Sequence, residues 1–231
     1  MKPTFNNLFN LGEIIFINHE KLKIASKDLR YLLNQGYRKK IALNFVANHY
    51  LLNKKSRNYL ARSVFSNSLS QSRRSKIVNF KDINGKILFL DGYNVLITVE
   101  SILNNYEVIL ADDGLLRDVQ GIFGKYKFSS NTNNALTLIF ECVSKYPPRE
   151  IKFYLDQQVS FSGKLGQEIN EMLKNYDLNG TSILSNNVDY HITQECANSI
   201  SIAATSDGII VDKVEKVVDI PHFILKKGVL N

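Results

Sequence analysis

The sequence predicts an α/β protein in which a small, basic α-helical part precedes a mainly parallel sheet covered by helices. Residues 1–82 carry 16 Lys/Arg and 4 Asp/Glu, a net charge of +12, whereas residues 83–231 carry 13 and 18, a net charge of −5. From residue 83 onward, apolar runs of strand length alternate with helix-length segments, which is typical of a parallel sheet covered on both faces. We therefore expect a helical domain at 1–75 and an α/β domain at 76–231.

The first 75 residues are expected to form three helices and a linker. Apolar residues at helical spacing predict helices at 26–34, 37–52 and 56–65. The segment 66–75 reads SNSLSQSRRS, which is polar, rich in serine and without periodicity. Such a composition is typical of a linker or a long loop.

The charge of this part points to a nucleic-acid partner. A strong charge difference between two halves of a chain is typical of nucleic-acid binding, although a solvated basic surface and attraction to an anionic membrane are alternatives. No amphipathic membrane helix accompanies the charge, which favours nucleic acid. The candidate phosphate-binding cations are Arg30, Arg38, Lys39, Lys40, Arg57, Arg73 and Arg74.

Composition also limits the environment in which the protein works. Hydrophobic residues make up 44% of the chain, which is enough for a core. No apolar run reaches about 18 residues, so no membrane-spanning helix is expected. Cys142 and Cys196 lie far apart and in no CxxC pattern, which argues against a disulfide framework or a zinc knuckle. We expect a cytoplasmic protein that does not bind membranes.

Strands and helices alternate in the second part. The predicted strands are 86–90, 108–111, 151–155, 181–184, 199–204 and 216–218. The predicted helices are 94–104, 115–123, 132–144, 165–175 and 208–214. Because crossovers between parallel strands are right-handed, all carboxyl ends of these strands are expected at one edge of the sheet.

Aspartates follow most of these strands. They are Asp91, Asp112, Asp113, Asp156 and Asp207. A single aspartate after a strand is commonly a turn or helix-capping residue. Several carboxylates at one edge repel each other, and a bound cation relieves that repulsion. Oxygen ligands favour Mg²⁺ or Mn²⁺ over zinc.

Other polar residues near these strand ends are candidates for a supporting role or for phosphate contacts. They are Asn94, Glu100, Arg117, Asp118, Ser162 and Asp212. Asn94 has two readings, since it can hydrogen-bond a neighbouring carboxylate or cap the helix that follows. Arg117 can likewise hold a phosphate or neutralise Asp118, and the loop at Ser162 is equally well explained as a plain turn.

Two segments resemble PIN and NYN nuclease domains. LFLDGYNVL, which contains Asp91, is similar to their first strand and its metal-binding aspartate, and ATSDGIIVD, which contains Asp207, is similar to a later PIN motif. Together with DDGLLRD and LDQQVSFSG, these segments resemble, in order, a prokaryotic family in which a short basic domain precedes a PIN-like domain. DLRYLLNQGYRKKIALNFVANHYLL resembles that family's amino-terminal domain, so the likeness covers nearly the whole chain after about residue 20.

The resemblance implies a PIN-like three-layer fold and a set of metal ligands. Asp91 and Asp207 match the metal-binding positions, Asp156 matches the NYN aspartate after a middle strand, and Asp189 and Asp113 resemble further acidic positions. PIN domains also carry a glutamate on an intervening helix. The sequence has no clean match for it, and Glu100 is the nearest candidate.

The expected function is therefore Mg²⁺- or Mn²⁺-dependent hydrolysis of phosphodiester bonds, with Asp91, Asp156 and Asp207 as the catalytic aspartates. The resemblance favours RNA over DNA, which makes an endoribonuclease the leading hypothesis, and it leaves a homodimer open. The alternative is a non-catalytic RNA-binding protein that keeps the fold. A haloacid-dehalogenase phosphatase requires an aspartate at position 93, where this chain has Tyr93, and a dinucleotide-binding enzyme requires GxGxxG, which the first strand lacks.

Overall fold

The computed structural model describes residues 19–119, 126, 130–196 and 200–230. The helices of the amino-terminal part are α1 His19–Asn34, α2 Lys39–His49, α3 Lys54–Ser63 and α4 Asn67–Arg74. The first three enclose a small apolar core that includes Leu29, Val46 and Leu60. The helices predicted at 26–34, 37–52 and 56–65 correspond to α1, α2 and α3 with shifted ends.

The linker predicted at 66–75 is wrong, because this segment contains α4. The Ser66 side chain accepts a hydrogen bond from the Leu69 backbone N–H and so caps the helix. The buried residues of α4 are Ser70 and Arg73. A helix whose buried face is polar has no apolar periodicity, which is why its sequence reads as a loop.

The second part begins after a 3-10 turn at Phe80–Ile83. Its strands are β1 Ile87–Asp91, β2 Val108–Leu110, β3 Leu116–Asp118, β4 Glu150–Asp156, β5 Gly180–Ser185, β6 Ser201–Ala204 and β7 Val217–Val218. Five of them form a parallel sheet in the order β5-β4-β1-β6-β7. The predicted parallel sheet is confirmed in this part of the chain.

Helices cover both faces of this sheet. They are α5 Gly92–Leu103, α6 Ser130–Val143, α7 Ser162–Asn175, α8 Val188–Glu195, α9 Gly208–Lys213 and α10 Ile220–Leu230. Leu88 and Leu90 of β1 belong to one apolar cluster, and Phe89 between them belongs to a second cluster on the opposite face. Because apolar side chains alternate between the two faces, the sheet lies between two layers of helices.

Two of these helices, α8 and α10, were not predicted from the sequence.

The segment between α5 and α6 departs from the prediction. β2 and β3 pair antiparallel in a separate two-stranded hairpin, so residues 115–118 are not helical, and residues 120–125 lie outside the described part. Asp112 and Asp113 consequently lie in the turn of this hairpin and not at the edge of the main sheet. Within the described ranges, no helix is both long and apolar enough to cross a bilayer.

Candidate functional site: a cleft with an acidic and a basic wall

A cleft lies at the carboxyl end of β1. The chain builds β4 and β5 on one side of β1 and β6 and β7 on the other, so the strand order reverses at β1. In open α/β sheets such a reversal opens a crevice that commonly binds ligands. The cleft has a volume of about 570 Å³ and is lined by residues of both parts of the chain.

Four of the carboxylates that line the cleft belong together. Asp91 ends β1, Asp156 ends β4, Asp189 lies in the first turn of α8, and Asp207 precedes α9. No ion pair joins any of the four to another residue within the described ranges. These four residues form an acidic wall whose carboxylates make no direct ion pair among the described residues, although the charge of Lys213 acts on Asp189.

Asp91 is the most deeply buried member of this wall, with 7% of its surface exposed. The Thr205 hydroxyl donates a hydrogen bond to its carboxylate at 2.9 Å, which favours the charged form. Burial outweighs that contact and, together with the charges of Asp207 and Asp189, raises the pKa of Asp91 to about 7. A cation bound beside Asp91 would relieve this electrostatic cost.

Local hydrogen bonds fix the loops that carry the acidic wall. One oxygen of Asp207 accepts from the backbone N–H groups of Ile209 at 2.7 Å and Ile210 at 3.3 Å, so it caps α9. The Asn94 side-chain oxygen accepts from the Ser206 N–H at 2.8 Å and from the Ser206 hydroxyl at 3.0 Å. Asn94 therefore ties the start of α5 to the loop after β6.

A second set of cleft residues is basic and aromatic, and we call it the basic wall. It consists of Arg62, Phe65 and Arg73 from the helical part together with Arg117 of β3. Three cations lie close to the Phe65 ring. The Lys39 ammonium is 3.6 Å, the Arg73 guanidinium 4.6 Å and the Arg117 guanidinium 5.3 Å from the ring centroid. Cations over an aromatic face attract its negative quadrupole.

A second group of aspartates is bound to arginines. Asp113 is fully buried and accepts hydrogen bonds from Arg117 at 2.7 and 2.8 Å and from Arg73 at 3.0 Å. Three further pairs are Arg30–Asp112, Arg62–Asp118 and Arg73–Asp212. Each of these three joins the helical part to the α/β part.

Several predicted site residues lie apart from the four cleft carboxylates. Asp113, proposed as a metal ligand, has both oxygens bonded to guanidinium groups. Glu100 of α5 accepts hydrogen bonds from Tyr126 at 2.6 Å and Thr132 at 2.7 Å, away from the cleft lining. Ser162 is buried at the start of α7 and does not line the cleft.

The cations predicted to bind nucleic acid divide into two groups. Arg38, Lys40 and Arg74 are exposed. The other four are engaged within the protein. Arg30 binds Asp112, Lys39 covers Phe65, Arg57 donates to the Leu52 and Ala47 carbonyls, and Arg73 binds Asp113 and Asp212.

The carboxylates of the acidic wall share a cleft but are not in a closed ligand arrangement. Among residues 19–119, 126, 130–196 and 200–230, no three His, Cys, Asp or Glu side chains are grouped closely enough to hold a metal ion as they stand. Their oxygen chemistry suits Mg²⁺ or Mn²⁺. Binding a metal would require the side chains to rotate towards each other.

The cleft also contains residues that were not predicted from the sequence, among them Arg62, Phe65 and Tyr93. Tyr93 directly follows the DG of the first strand, and its position next to Asp91 and Gly92 was the available signal. Arg62 and Phe65 come from the helical part, and no local pattern in the sequence places them beside β1.

Family comparisons agree with the two-part organisation. A family model described as "Domain of unknown function (DUF5616)" matches residues 80–223, which is more than half of the chain. The chain belongs to the DUF5616 family. In this DUF5616 protein, a second model, "Protein of unknown function (DUF434)", matches residues 21–76, which cover the four helices before the α/β part.

A curated relative has the same extent. The "Uncharacterized protein MJ0935" of Methanocaldococcus jannaschii is 36% identical over 198 residues, which cover 85% of this chain and 92% of the relative. No solved structure matches this DUF5616 protein. The relative's name states no activity, so evidence for a function has to come from the cleft itself.

Proposed function

We propose that this DUF5616 protein is a metal-dependent nuclease of the PIN-like kind that hydrolyses phosphodiester bonds, with RNA as the favoured substrate. The observation that carries the proposal is the acidic wall of Asp91, Asp156, Asp189 and Asp207, whose members make no direct ion pair among the described residues and line one cleft. Unneutralised carboxylates at a strand-order reversal are suited to hold a divalent cation.

The PIN-like assignment has support from the topology. A parallel sheet lies between helical layers, and Asp91 ends the central strand, where the resemblance of LFLDGYNVL places a metal ligand. Among the described residues that line the cleft there is no glutamate to match the PIN pattern, and Glu100 is bonded to Tyr126 and Thr132. We therefore assign the ligands to aspartates alone.

In this proposal Asp91 and Asp207 hold Mg²⁺ or Mn²⁺, and Asp156 and Asp189 complete its surroundings. A bound divalent ion lowers the pKa of a water ligand and stabilises negative charge on a phosphoryl group. The contribution of the chain is orientation. Thr205 holds the Asp91 carboxylate by a hydrogen bond, and Asn94 holds the Ser206 backbone beside it.

The decisive experiment measures cleavage of a labelled, partly structured RNA with Mn²⁺ or Mg²⁺. Asp91→Asn and Asp207→Asn should each reduce the rate by about a hundredfold or more, because each removes a charge that holds the metal. Asp177→Asn is the matched control, since Asp177 is exposed, lies outside the cleft and has a left-handed backbone that Asn adopts readily. It should cleave like the wild type.

A second candidate is an RNA-binding protein without turnover. The observation that favours it is the spacing of the carboxylates, no three of which are grouped as a metal site within the described residues. Salt-sensitive RNA binding without cleavage, unchanged by Asp91→Asn and Asp207→Asn, would support this candidate and contradict the nuclease. Cleavage that EDTA and both variants abolish would reject it.

A further inference from the structure

The arginines of the basic wall differ in how many of their N–H groups have hydrogen-bond partners. Arg73 donates to Asp212 from Nε at 2.7 Å and from Nη2 at 2.9 Å, and to Asp113 from Nη1 at 3.0 Å. Arg117 donates to the Ser206 carbonyl from Nε at 3.0 Å and to both oxygens of Asp113. Both guanidinium groups are buried and committed to these partners, so neither has a free edge for a ligand.

Arg62 differs from these two arginines. Its Nη2 donates to Asp118 at 2.8 Å, but its Nε is buried and has no hydrogen-bond partner within the described residues. The Arg62 side chain keeps 31% of its surface exposed and lines the cleft. A guanidinium presents its N–H groups as a planar fork, which suits two oxygens of a carboxylate or a phosphate.

A second polar group in the cleft also has no partner. Tyr93, at the start of α5, is 2% exposed, lines the cleft, and its hydroxyl makes no hydrogen bond within the described part of the chain. Leaving a buried hydroxyl unpaired carries a cost, so its retention calls for an explanation. A phenolic hydroxyl can donate a hydrogen bond to an anion.

We propose that Arg62 and Tyr93 form a phosphate-binding subsite in the cleft, in which Arg62 contributes from the helical part and Tyr93 from the α/β part. The ligand class is a phosphate of a nucleic-acid chain, and this choice rests on the proposed function. The arrangement makes the helical part a component of the site itself, in addition to any binding through its exposed cations.

The test is the affinity for a fluorescently labelled short single-stranded RNA, measured by anisotropy in EDTA so that no cleavage occurs. Tyr93→Phe and Arg62→Lys are the informative variants, because Phe removes only the hydroxyl and Lys keeps a cation for Asp118 while losing the planar fork. A charge-assisted hydrogen bond is strong enough for Arg62→Lys to weaken binding roughly tenfold or more. Tyr93→Phe should weaken it severalfold.

Arg149→Lys is the matched control, because Arg149 is an exposed arginine outside the cleft lining and the substitution likewise keeps the charge and loses the planar fork. It should bind RNA like the wild type. Equal affinities in Arg62→Lys and Arg149→Lys would overturn the subsite, because general charge attraction does not depend on the fork. If Tyr93→Phe bound RNA with wild-type affinity and its thermal stability were unchanged or raised, Tyr93 would not contribute to phosphate binding. The two-residue subsite would then be rejected.

This test separates the subsite from the nuclease proposal. Binding in EDTA does not depend on a metal, so loss of affinity in Arg62→Lys and Tyr93→Phe supports the subsite even if the wild type cleaves nothing. Conversely, metal-dependent cleavage that Asp91→Asn abolishes, combined with unchanged RNA affinity in both subsite variants, would confirm the nuclease and reject the subsite.

Discussion

Two groups of aspartates surround the cleft, and they differ in whether a cation neutralises them. The paired group consists of Asp112, Asp113, Asp118 and Asp212, each bound to an arginine. The unpaired group is the acidic wall of Asp91, Asp156, Asp189 and Asp207. Most of these residues follow predicted strands, and sequence alone gives them the same appearance. The comparison shows that the role of each aspartate depends on whether an arginine of the helical part lies close enough to form an ion pair with it.

The pKa values of Asp113 and Asp91 show the difference between the two groups most clearly. Burial alone would raise the pKa of Asp113, but hydrogen bonds and charge from Arg117 and Arg73 hold that pKa below its ordinary value. Asp91 is buried to a similar degree and has no such partner, so its pKa rises to about 7. Arginines neutralise the carboxylates of the paired group, whereas the acidic wall keeps negative charge that can bind a cation.

The largest effect that separates the groups should follow from Asp113→Ala. This variant leaves the buried Arg73 and Arg117 without their shared carboxylate, and uncompensated buried charge of this kind costs about 3–5 kcal/mol of unfolding free energy. Urea unfolding in EDTA measures the loss. Asp91→Asn is the comparison variant, since an amide removes the repulsion from Asp207 and Asp189 and still accepts from Thr205. It should be as stable as the wild type or more stable.

The reverse order of stabilities would break the comparison. If Asp91→Asn lost as much unfolding free energy as Asp113→Ala, the Asp91 carboxylate would be a structural group whose charge the fold requires. The acidic wall would then resemble the paired group in function.

The next largest effect concerns metal binding. A ligand that binds only the folded state adds about 2.7 kcal/mol at a concentration a hundred times its Kd. Mn²⁺ should therefore raise the thermal unfolding temperature of the wild type and of Asp212→Asn, which changes the paired group. It should have little effect on Asp91→Asn. A shift of the same size in all three proteins would locate the ion outside the acidic wall.

A smaller effect tests the packing that holds the paired group. A Cβ added at Gly208 would lie 2.6 Å from Nη2 of Arg73, which also donates to the Gly208 carbonyl. Gly208→Ala should displace this guanidinium from Asp212 and cost about 1–3 kcal/mol in urea unfolding, as overpacking does. Gly163→Ala is the control, because its Cβ would meet no atom within 4 Å in helix α7. A Gly208→Ala protein of wild-type stability would show that Arg73 is not tightly held.

Much of the acidic wall could be predicted from sequence because it depends on local order. Asp91, Asp156 and Asp207 each follow an apolar strand, and parallel strands bring their carboxyl ends to one edge. The structure places all three in the cleft. Asp189 was suggested by resemblance alone, since the helix α8 that carries it was not predicted.

Most of the paired group could not be predicted, because its contacts other than Arg117–Asp113 are long-range. Arg30 and Asp112 are 82 residues apart, and Arg73 and Asp212 are 139 apart. The helix that carries Arg73 reads as a serine-rich loop because its buried face makes ion pairs instead of apolar contacts. For the same reason, Asp113 was grouped with the metal ligands although its partners are arginines.

The smallest effect concerns Lys39, which lies on the basic side of the comparison. Burial, and then repulsion by Arg117 and Arg73, lowers the pKa of Lys39 to about 7 from an ordinary value of 10.5. Between these values the unfolded chain binds a proton that the folded chain releases, so stability rises with pH across this window. The contact with Phe65 offsets part of the cost of burying the charge.

Lys39→Met should reduce the rise in unfolding free energy between neutral pH and pH near 10 by on the order of 1 kcal/mol, because it removes the proton difference. Urea unfolding at a series of pH values measures this slope. Lys40→Met is the control, because Lys40 is the exposed neighbour in α2, and it should keep the wild-type slope. An unchanged slope in Lys39→Met would mean that Lys39 keeps its charge above neutral pH. The paired aspartates would then balance the positive charges around Phe65, and repulsion among these cations would not reduce the unfolding free energy.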